Sequence, residues 1–109
     1  GHVIDARAPF TNSPITITGS TLKTVGTDAV VANGIYFKQG RTDSPVTISN
    51  SEVSVKDEVI NFAAGPVTRS DITVTDSVLT AGTAFEWIVV TNSDSDSDVE
   101  ITGSWLKRP

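Results

Sequence analysis

Apolar and polar residues alternate with a period of two in four short segments of the chain, and the four segments resemble one another. They cover residues 15–22, 46–53, 72–79 and 99–106. Val, Ile and Thr occupy most of their positions, which favours β-strand over helix. The segments begin 31, 26 and 27 residues apart, a spacing that is too long for a series of hairpins and typical of one turn of a solenoid.

Each segment has a predicted bend after its first strand. The residue at the bend is of a type that tolerates a left-handed backbone: Gly19, Asn50, Asp76 and Gly103. A second short strand follows, with four apolar residues in register: Leu22, Val53, Leu79 and Leu106. A third strand is predicted between the segments by aligning residues 35–37, 60–62 and 87–89, and residues 3–6 form an earlier member of that set.

The pattern therefore predicts an all-β solenoid of about four turns with three short strands each. This arrangement resembles the right-handed parallel β-helix of pectate lyases, alginate and chondroitin lyases and phage tailspikes. The resemblance covers nearly the whole chain and concerns architecture rather than one family. It implies an extracellular, cell-surface or virion-associated protein that binds or degrades polysaccharide.

The period of two also predicts which side chains face the interior. The expected core consists of apolar residues from all three strands: Ile15, Ile17, Leu22, Ile35, Phe37, Val46, Ile48, Val53, Ile60, Phe62, Ile72, Val74, Leu79, Trp87, Val89, Val99, Ile101 and Leu106. The end turns of a solenoid require caps, and the chain starts and stops at predicted strands. Residues 1–109 are therefore expected to form one module of a larger protein, with Gly1 and His2 typical of a tag remnant.

Composition narrows the classes of partner. The chain has 38% hydrophobic residues, a formal net charge of −5 and no cysteine. An acidic balance argues against nucleic acid and anionic membranes as partners, and no apolar run approaches the roughly 18 residues of a membrane-spanning helix. The absence of cysteine excludes disulfides and thiol chemistry.

The outward positions of the first strands carry hydroxyl groups. Five threonines form the candidate binding face: Thr16, Thr18, Thr47, Thr73 and Thr75. Stacked about 4.8 Å apart, they resemble the Thr-x-Thr face of β-helical ice-binding proteins, although Glu100 interrupts the array in the last copy. The alternative is an ordinary solvent-facing sheet, because threonine suits any exposed strand.

Charged residues are expected to stack beside this face. The position three residues before each segment holds Asn12, Asp43, Arg69 and Asp96. This column is either a polar groove for a charged sugar or a structural charge ladder. Polysaccharide lyases of the fold that this pattern resembles use an Arg or Lys as the base, often with calcium. The resemblance therefore implies candidate bases at Arg69, Arg41 and Lys38. Their acidic partners would be Asp43, Asp71 and Asp96. No catalytic motif singles out any of them.

Two further features are candidates for binding. Asp94, Asp96 and Asp98 alternate with serine, so in an extended segment their carboxylates share one side. Calcium would neutralise them; the alternative is a solvated loop.

Tyr36, Ile88 and Val90 are predicted to face outward on the third strand as an apolar docking stripe. The resemblance to tailspikes implies that this stripe joins three copies in a homotrimer. The alternative is contact with the rest of a parent protein.

Together these observations predict a β-helical, carbohydrate-associated structural or binding module of an extracellular or virion protein. The alternatives are part of a polysaccharide lyase or glycoside hydrolase acting on acidic polysaccharide, and an ice-binding protein. A lyase would release product that absorbs in the near ultraviolet, whereas a binding module would leave the polysaccharide unchanged.

Overall fold

The computed structural model describes residues 2–24, 33–62, 66–82, 87–90 and 96–108. Within these ranges the chain is all β, and fifteen short strands form four parallel sheets. Successive strands in one sheet come from successive turns of the chain, so the fold is a parallel β-solenoid. The predicted fold class is confirmed.

Each turn, or rung, passes through the sheets in the order A, B, C, D. Sheet A contains β1 (Ile4–Ala6), β5 (Ile35–Phe37), β9 (Ile60–Phe62) and β13 (Ile88–Val90). Sheet B contains β2 (Phe10–Thr11), β6 (Arg41–Thr42) and β10 (Val67–Thr68). Sheet C contains β3 (Ile15–Thr18), β7 (Val46–Ser49), β11 (Ile72–Thr75) and β14 (Val99–Thr102). Sheet D contains β4 (Thr21–Lys23), β8 (Glu52–Val55), β12 (Val78–Ala81) and β15 (Trp105–Lys107).

The turns differ from the predicted ones in two details. Strands β1 to β12 form three complete turns. Strands β13, β14 and β15 then form part of a fourth turn. Each complete turn also has a fourth strand, the two-residue strand of sheet B, which the period of two does not predict. Two residues are too few to display an alternation.

The core lies between the four sheets. Its most deeply buried apolar side chains come from the second and third turns, including Phe37, Ile48, Phe62, Val74 and Leu79. The phenyl rings of Phe37 and Phe62 stack with centroids 4.6 Å apart, and Phe10 meets Phe37 edge to face at 5.7 Å. The inner turns are therefore sealed by the turns on either side of them, as expected of a solenoid.

The register of β13 corrects one part of the predicted core. The sequence alignment places Trp87 opposite Ile60 and Val89 in the core, but the structure pairs Ile88 with Ile60, Val89 with Asn61 and Val90 with Phe62. Ile60 and Phe62 face inward, so Ile88 takes a core-side position and packs against the core. A shift by one residue exchanges the two faces of a strand.

The corners between sheets C and D confirm the predicted bend. Gly19, Asn50, Asp76 and Gly103 all have positive φ, between 49° and 58°. A second corner of the same kind lies between sheets B and C, where Asn12, Asp43 and Arg69 have φ of 50°, 51° and 45°. Asn, Asp and Gly are the residues that adopt this conformation at least cost, which makes Arg69 the unusual member.

A serine directly follows each of these left-handed residues. The first serine ladder is Ser13, Ser44, Ser70 and Ser97, and the second is Ser20, Ser51, Ser77 and Ser104. In both, the backbone N–H of each serine except the last donates to the hydroxyl of the serine one turn later, at 2.9–3.1 Å. Each hydroxyl except that of Ser97 donates in turn to the carbonyl two residues before it, while Ser97 donates to the carbonyl of Val67.

The ladders matter because the serine N–H at each corner donates to a side-chain hydroxyl of the next turn, whereas neighbouring N–H groups, such as those of Asn50 and Glu52, donate to backbone carbonyls. A buried N–H without a partner costs about 1–3 kcal/mol. Ser44, Ser51, Ser70 and Ser77 are all buried, so their hydroxyls take the place that water would have in an exposed turn. The two serine ladders thus hold successive corners in register.

Replacing Ser51 with Ala should lower the free energy of unfolding by about 1–3 kcal/mol. The Ser51 hydroxyl accepts from the Ser20 N–H at 3.1 Å and donates to the Ser49 carbonyl at 2.8 Å, and alanine leaves both groups without this partner. Urea denaturation followed by circular dichroism measures the change. Ser54→Ala, on the outer side of β8, the strand that follows this corner, is the matched control and should change stability by less than about 0.5 kcal/mol. Equal denaturation midpoints for the two variants would show that the ladder is dispensable.

Candidate functional site

The predicted threonine face lies on the outer side of sheet C. Strand pairing places Thr16, Thr47 and Thr73 in one column and Thr18, Ser49 and Thr75 in a second, parallel column. The residues between them, such as Ile48 and Val74, are fully buried, so the strand alternation points the hydroxyl-bearing side chains away from the core. All five threonines of the predicted binding face are therefore brought together.

The columns are ordered by contacts between rungs. The Ser49 hydroxyl donates to the hydroxyl of Thr18 at 3.1 Å. Neighbouring rungs are about 4.8 Å apart, which leaves every hydroxyl with capacity to donate or accept a further bond to a ligand. In the last rung Glu100 takes the place of a threonine in the first column and Thr102 continues the second.

A third hydroxyl column lies on sheet B and is missed by sequence reasoning. Strand pairing aligns Thr11, Thr42 and Thr68. Each threonine precedes a left-handed corner residue and a serine, the same Thr-x-Ser triplet that occurs in sheet C at Thr18 and Thr75. We call the three columns on sheets B and C together the hydroxyl face.

The corner between these two sheets carries the predicted charge column. Arg69 and Asp43 form a bidentate pair, with Nε to Oδ1 at 2.7 Å and Nη2 to Oδ2 at 3.2 Å. The hydrogen bond from Arg69, followed by its positive charge, lowers the pKa of Asp43. The side chain of Arg69 is 56% exposed and that of Asp43 is 40% exposed. An exposed ion pair contributes little to the free energy of unfolding, but both charged groups remain accessible to a ligand beside the hydroxyl face. Asp96 is exposed and precedes Ser97 at the next position of the column.

Arg41 is not available as a base. It lies on sheet B between Phe10 and Val67, and its side chain is fully buried. The guanidinium carbon is 4.1 Å from the ring centroid of Phe37, 5.1 Å from that of Phe10 and 5.7 Å from that of Phe62. The prediction that places Arg41 among the surface bases is wrong, because its position in the strand faces the core.

Burial determines the chemistry of this arginine. Desolvation lowers its pKa to about 10, so it remains a cation at neutral pH. Its Nε donates to the Ser44 carbonyl at 2.9 Å, and Nη2 contacts the same oxygen. Within the described ranges Nη1 has no hydrogen-bond partner and no carboxylate forms a salt bridge with Arg41. Three aromatic faces thus provide much of the compensation for the buried charge.

The predicted calcium segment is only partly described. Asp94 lies outside the described residues, while Asp96 and Asp98 are exposed. The backbone N–H of Asp98 donates to Oδ1 of Asp71 at 2.8 Å, which gives one carboxylate of this region a structural partner. Among the residues that the structure describes, no group of three or more His, Asp or Glu side chains has the arrangement of a metal site.

One residue of the predicted docking stripe does not face outward, because Ile88 is on the core side of β13 and packs against the core. For Val90 the structure gives the pairing with Phe62 alone. Tyr36 does lie on the outer side of sheet A, where its ring stacks on His2 with centroids 4.4 Å apart. His2 also accepts a hydrogen bond from the Asn33 N–H through Nδ1 at 3.0 Å. The basis for a lateral contact through Ile88 is therefore lost.

Aromatic and cationic side chains meet in the last rung. The Trp87 Nε1–H donates to the Lys107 carbonyl at 3.0 Å, and the guanidinium of Arg108 lies 4.1 Å from the ring centroid of Trp87. The ammonium of Lys107 lies 4.9 Å from the ring centroid of Trp105, which is 65% exposed. Sequence reasoning missed this cluster because its members are separated by loops.

Comparison with protein-family models, with curated proteins and with solved structures finds no match to this chain. A search of the described residues for a long apolar helix that could cross a membrane finds none. The functional argument therefore depends on the geometry of the hydroxyl face and of the residues around it.

Replacing Arg41 with Met should leave the free energy of unfolding unchanged or raise it by up to about 2 kcal/mol. The lowered pKa corresponds to roughly 3 kcal/mol against the buried charge, and an apolar side chain of similar length removes that cost. The lost hydrogen bonds to the Ser44 carbonyl and the lost cation–π contacts with the three phenyl rings offset part of the gain. Chemical denaturation of Arg41→Met, with Arg41→Ala as the control, measures the balance; the alanine variant should lose about 2–4 kcal/mol through its cavity. A methionine variant that loses more than about 2 kcal/mol would contradict this account.

Proposed function

We propose that this β-solenoid is a carbohydrate-binding structural module of an extracellular or virion-associated protein, and that a polysaccharide lies along the hydroxyl face. The observation that carries the proposal is the alignment of three outward hydroxyl columns over three successive rungs. A hydroxyl can both donate and accept, so each column complements the many hydroxyl groups of a sugar chain.

Rigidity supports this function. The hydroxyl positions are held by strand pairing on one side and by the serine ladders at the corners. A ligand therefore does not have to order the protein surface when it binds, which lowers the entropic cost of association. Many weak contacts along one polymer then add up through multivalency.

The Asp43–Arg69 pair gives the face a means of selecting charge. Arg69 places a positive charge at this corner, and its guanidinium presents a fork that suits carboxylates and sulfates. An acidic polysaccharide that reaches the corner competes with Asp43 for it. We therefore favour acidic over neutral polysaccharide as the ligand class.

A lyase or hydrolase activity is less well supported. Arg41 is enclosed by the core, and Arg69 donates two hydrogen bonds to Asp43. Incubation with pectate, alginate and chondroitin sulfate should give no rise in absorbance in the near ultraviolet. A steady rise in absorbance would show lyase activity and would contradict the proposal of a binding module without activity.

Ice binding is a second candidate because two of the columns carry a hydroxyl at every position over three rungs. Glu100 breaks the first column in the next rung. Thermal hysteresis of the wild-type chain separates the two candidates: a carbohydrate-binding module should show none.

The double variant Thr47→Val/Thr73→Val should weaken polysaccharide binding at least tenfold, about 1.4 kcal/mol. Valine keeps the shape of the side chain and removes the hydroxyl from the centre of the face. Affinity electrophoresis in gels containing pectate, alginate, chondroitin sulfate or a neutral glucan provides the measurement. Thr80→Val, on the outer side of sheet D, is the matched control and should bind as the wild type does.

A second variant tests the charge preference. Arg69→Asn should weaken binding of acidic polysaccharides and leave any binding of the neutral glucan unchanged. Asparagine occupies the same column at Asn12 with a positive φ, so the backbone should tolerate it. If no gel retards the wild-type chain, or if the Thr80 control weakens binding as much as the double variant, the hydroxyl face is not the binding surface.

A further inference from the structure

The outer side of sheet D carries one large exposed ring. Trp105 in β15 is 65% exposed. Strand pairing places it in one column with Thr21, Glu52 and Val78, next to the column of the buried Leu79. Since neighbouring residues of a strand point to opposite faces, the column of Trp105 faces away from the core.

The exposure of Trp105 follows from the direction of this column. Glu52 occupies the same column in a rung that has a neighbouring rung on either side, and its side chain is exposed there. Val99 and Leu106 are the other large hydrophobic residues that are clearly exposed, but their columns point inward and are buried in the third rung. Among the described residues, Trp105 is therefore the large apolar side chain that a side wall of the solenoid presents to solvent.

The second tryptophan of the chain is held in place by its neighbours. Trp87 is half-buried and packs against the core. Its Nε1–H donates to the Lys107 carbonyl at 3.0 Å, and the guanidinium of Arg108 lies 4.1 Å from its ring centroid. The ring of Trp105 instead meets the ammonium of Lys107 at 4.9 Å from its centroid and keeps most of its surface in solvent.

Lys107 supplies a positive charge beside the exposed ring. It lies two residues after Trp105, on the same outer side of β15, and its side chain is exposed. Neither salt bridge within the described residues involves it. A lysine ammonium is carried on a flexible stem, and a cation–π contact at an exposed site is weak. The ammonium can therefore turn from the ring to an anionic ligand.

A carboxylate lies on the other side of the ring, at the corner between sheets C and D. Oδ1 of Asp76 is 2.5 Å from the place that a Cβ of Gly103 would take, so the glycine makes room for it. Gly103 and Lys107 are each two residues from Trp105, in opposite directions along the chain. The ring thus has a hydrogen-bond acceptor towards the corner and a cation on the far side.

The size of the exposed ring indicates the kind of ligand. A stable protein interface takes about 800 Å² from each partner, whereas a tryptophan side chain buries only about 150–250 Å². The outer side of sheet D around the ring is otherwise mainly polar, with Glu52, Thr80 and Lys107. Trp105 therefore suits one small ring of a ligand better than the face of a protein.

A sugar residue has the complementary surfaces. The C–H groups on one face of a pyranose form an apolar patch with a slight positive charge, which matches the negative face of an aromatic ring. Its hydroxyl groups can donate to a carboxylate such as that of Asp76. A carboxylate or sulfate on the same sugar forms a charge-assisted hydrogen bond with an ammonium such as that of Lys107.

We propose that Trp105, Lys107 and Asp76 form a subsite for one uronate or sulfated residue of a polysaccharide. The sugar stacks on the indole, with its anionic group at Lys107 and its hydroxyl groups towards Asp76. This inference rests on the proposed binding of acidic polysaccharide and adds a site on sheet D, outside the hydroxyl face. Thr102 lies in the second hydroxyl column three residues before Trp105, so a chain that follows this column reaches the subsite across one corner.

Tryptophan fluorescence detects the subsite directly. Titration of the wild-type chain with tetragalacturonate should give a saturable change in emission, because the sugar displaces water from the Trp105 ring. Trp105→Phe keeps an aromatic face and should bind within about threefold of the wild type in gels containing pectate. The change in emission should be lost in this variant, since Trp87 is then the one tryptophan left.

Two further variants separate the roles of the ring and the charge. Trp105→Thr should weaken pectate binding at least about tenfold; threonine suits a strand and occupies the same column at Thr21. Lys107→Gln should weaken binding of pectate at least about threefold and leave any binding of a neutral glucan unchanged. Thr80→Val, on the same side of sheet D, is the matched control and should bind as the wild type does.

The outcomes distinguish this subsite from the hydroxyl face. If Trp105→Thr binds as tightly as the wild type while Thr47→Val/Thr73→Val binds more weakly, the subsite is wrong and the hydroxyl face stands. The reverse result supports the subsite and contradicts the hydroxyl face, and a wild-type chain that binds no saccharide overturns both. Circular dichroism checks that Trp105→Thr is folded; if it is not, the wild-type emission and Lys107→Gln, which keeps the ring, decide the question.

Discussion

The hydrogen bonding of the corners is the constraint on which the rest of this solenoid depends. Strand pairing satisfies the backbone groups of the sheets, and several corner groups also bond to the backbone of a neighbouring turn, but the serine N–H at the corner requires a side-chain acceptor. A residue in the left-handed conformation makes the change of direction, and the N–H of the serine that follows donates to the serine hydroxyl of the next turn. Because the same pair of residues recurs at the same place in each turn, the sheets on both sides remain in register, and so do their inner and outer columns.

The sequence predicts this architecture to the extent that local physical rules dominate. The alternation of Val, Ile and Thr predicts sheets C and D, and the types of residue at positions 19, 50, 76 and 103 predict their corners, because few residues tolerate positive φ. The corners between sheets B and C are not predicted, because Arg69 is not a residue type that readily adopts positive φ. The serines were visible in every copy, yet serine also suits exposed loops, and only the pairing between turns shows that they are buried connectors.

Two predictions were wrong for reasons that lie beyond local pattern. Residues 87–90 are all apolar, so a period of two cannot decide which of them face inward, and the pairing with β9 decides it instead. Arg41 is charged, and charged residues are seldom fully buried. Its inward position follows from the alignment with Phe10 and Val67 and from the three phenyl rings that surround the guanidinium, a contact between turns that no single segment contains.

The hydroxyl face depends on repetition of the rung, since strand pairing places the outer hydroxyls of successive rungs in the same columns. The serine ladders repeat with the same rungs and keep these columns aligned. The first column is interrupted by Glu100, which follows Thr73 in register, while Thr102 continues the second column. A crystalline surface requires an unbroken lattice match, whereas a flexible polysaccharide can pass over one altered position and keep its contacts with the second column. Interruption of one column is therefore compatible with a polymeric ligand, for which binding strength increases with the number of contacts along the chain.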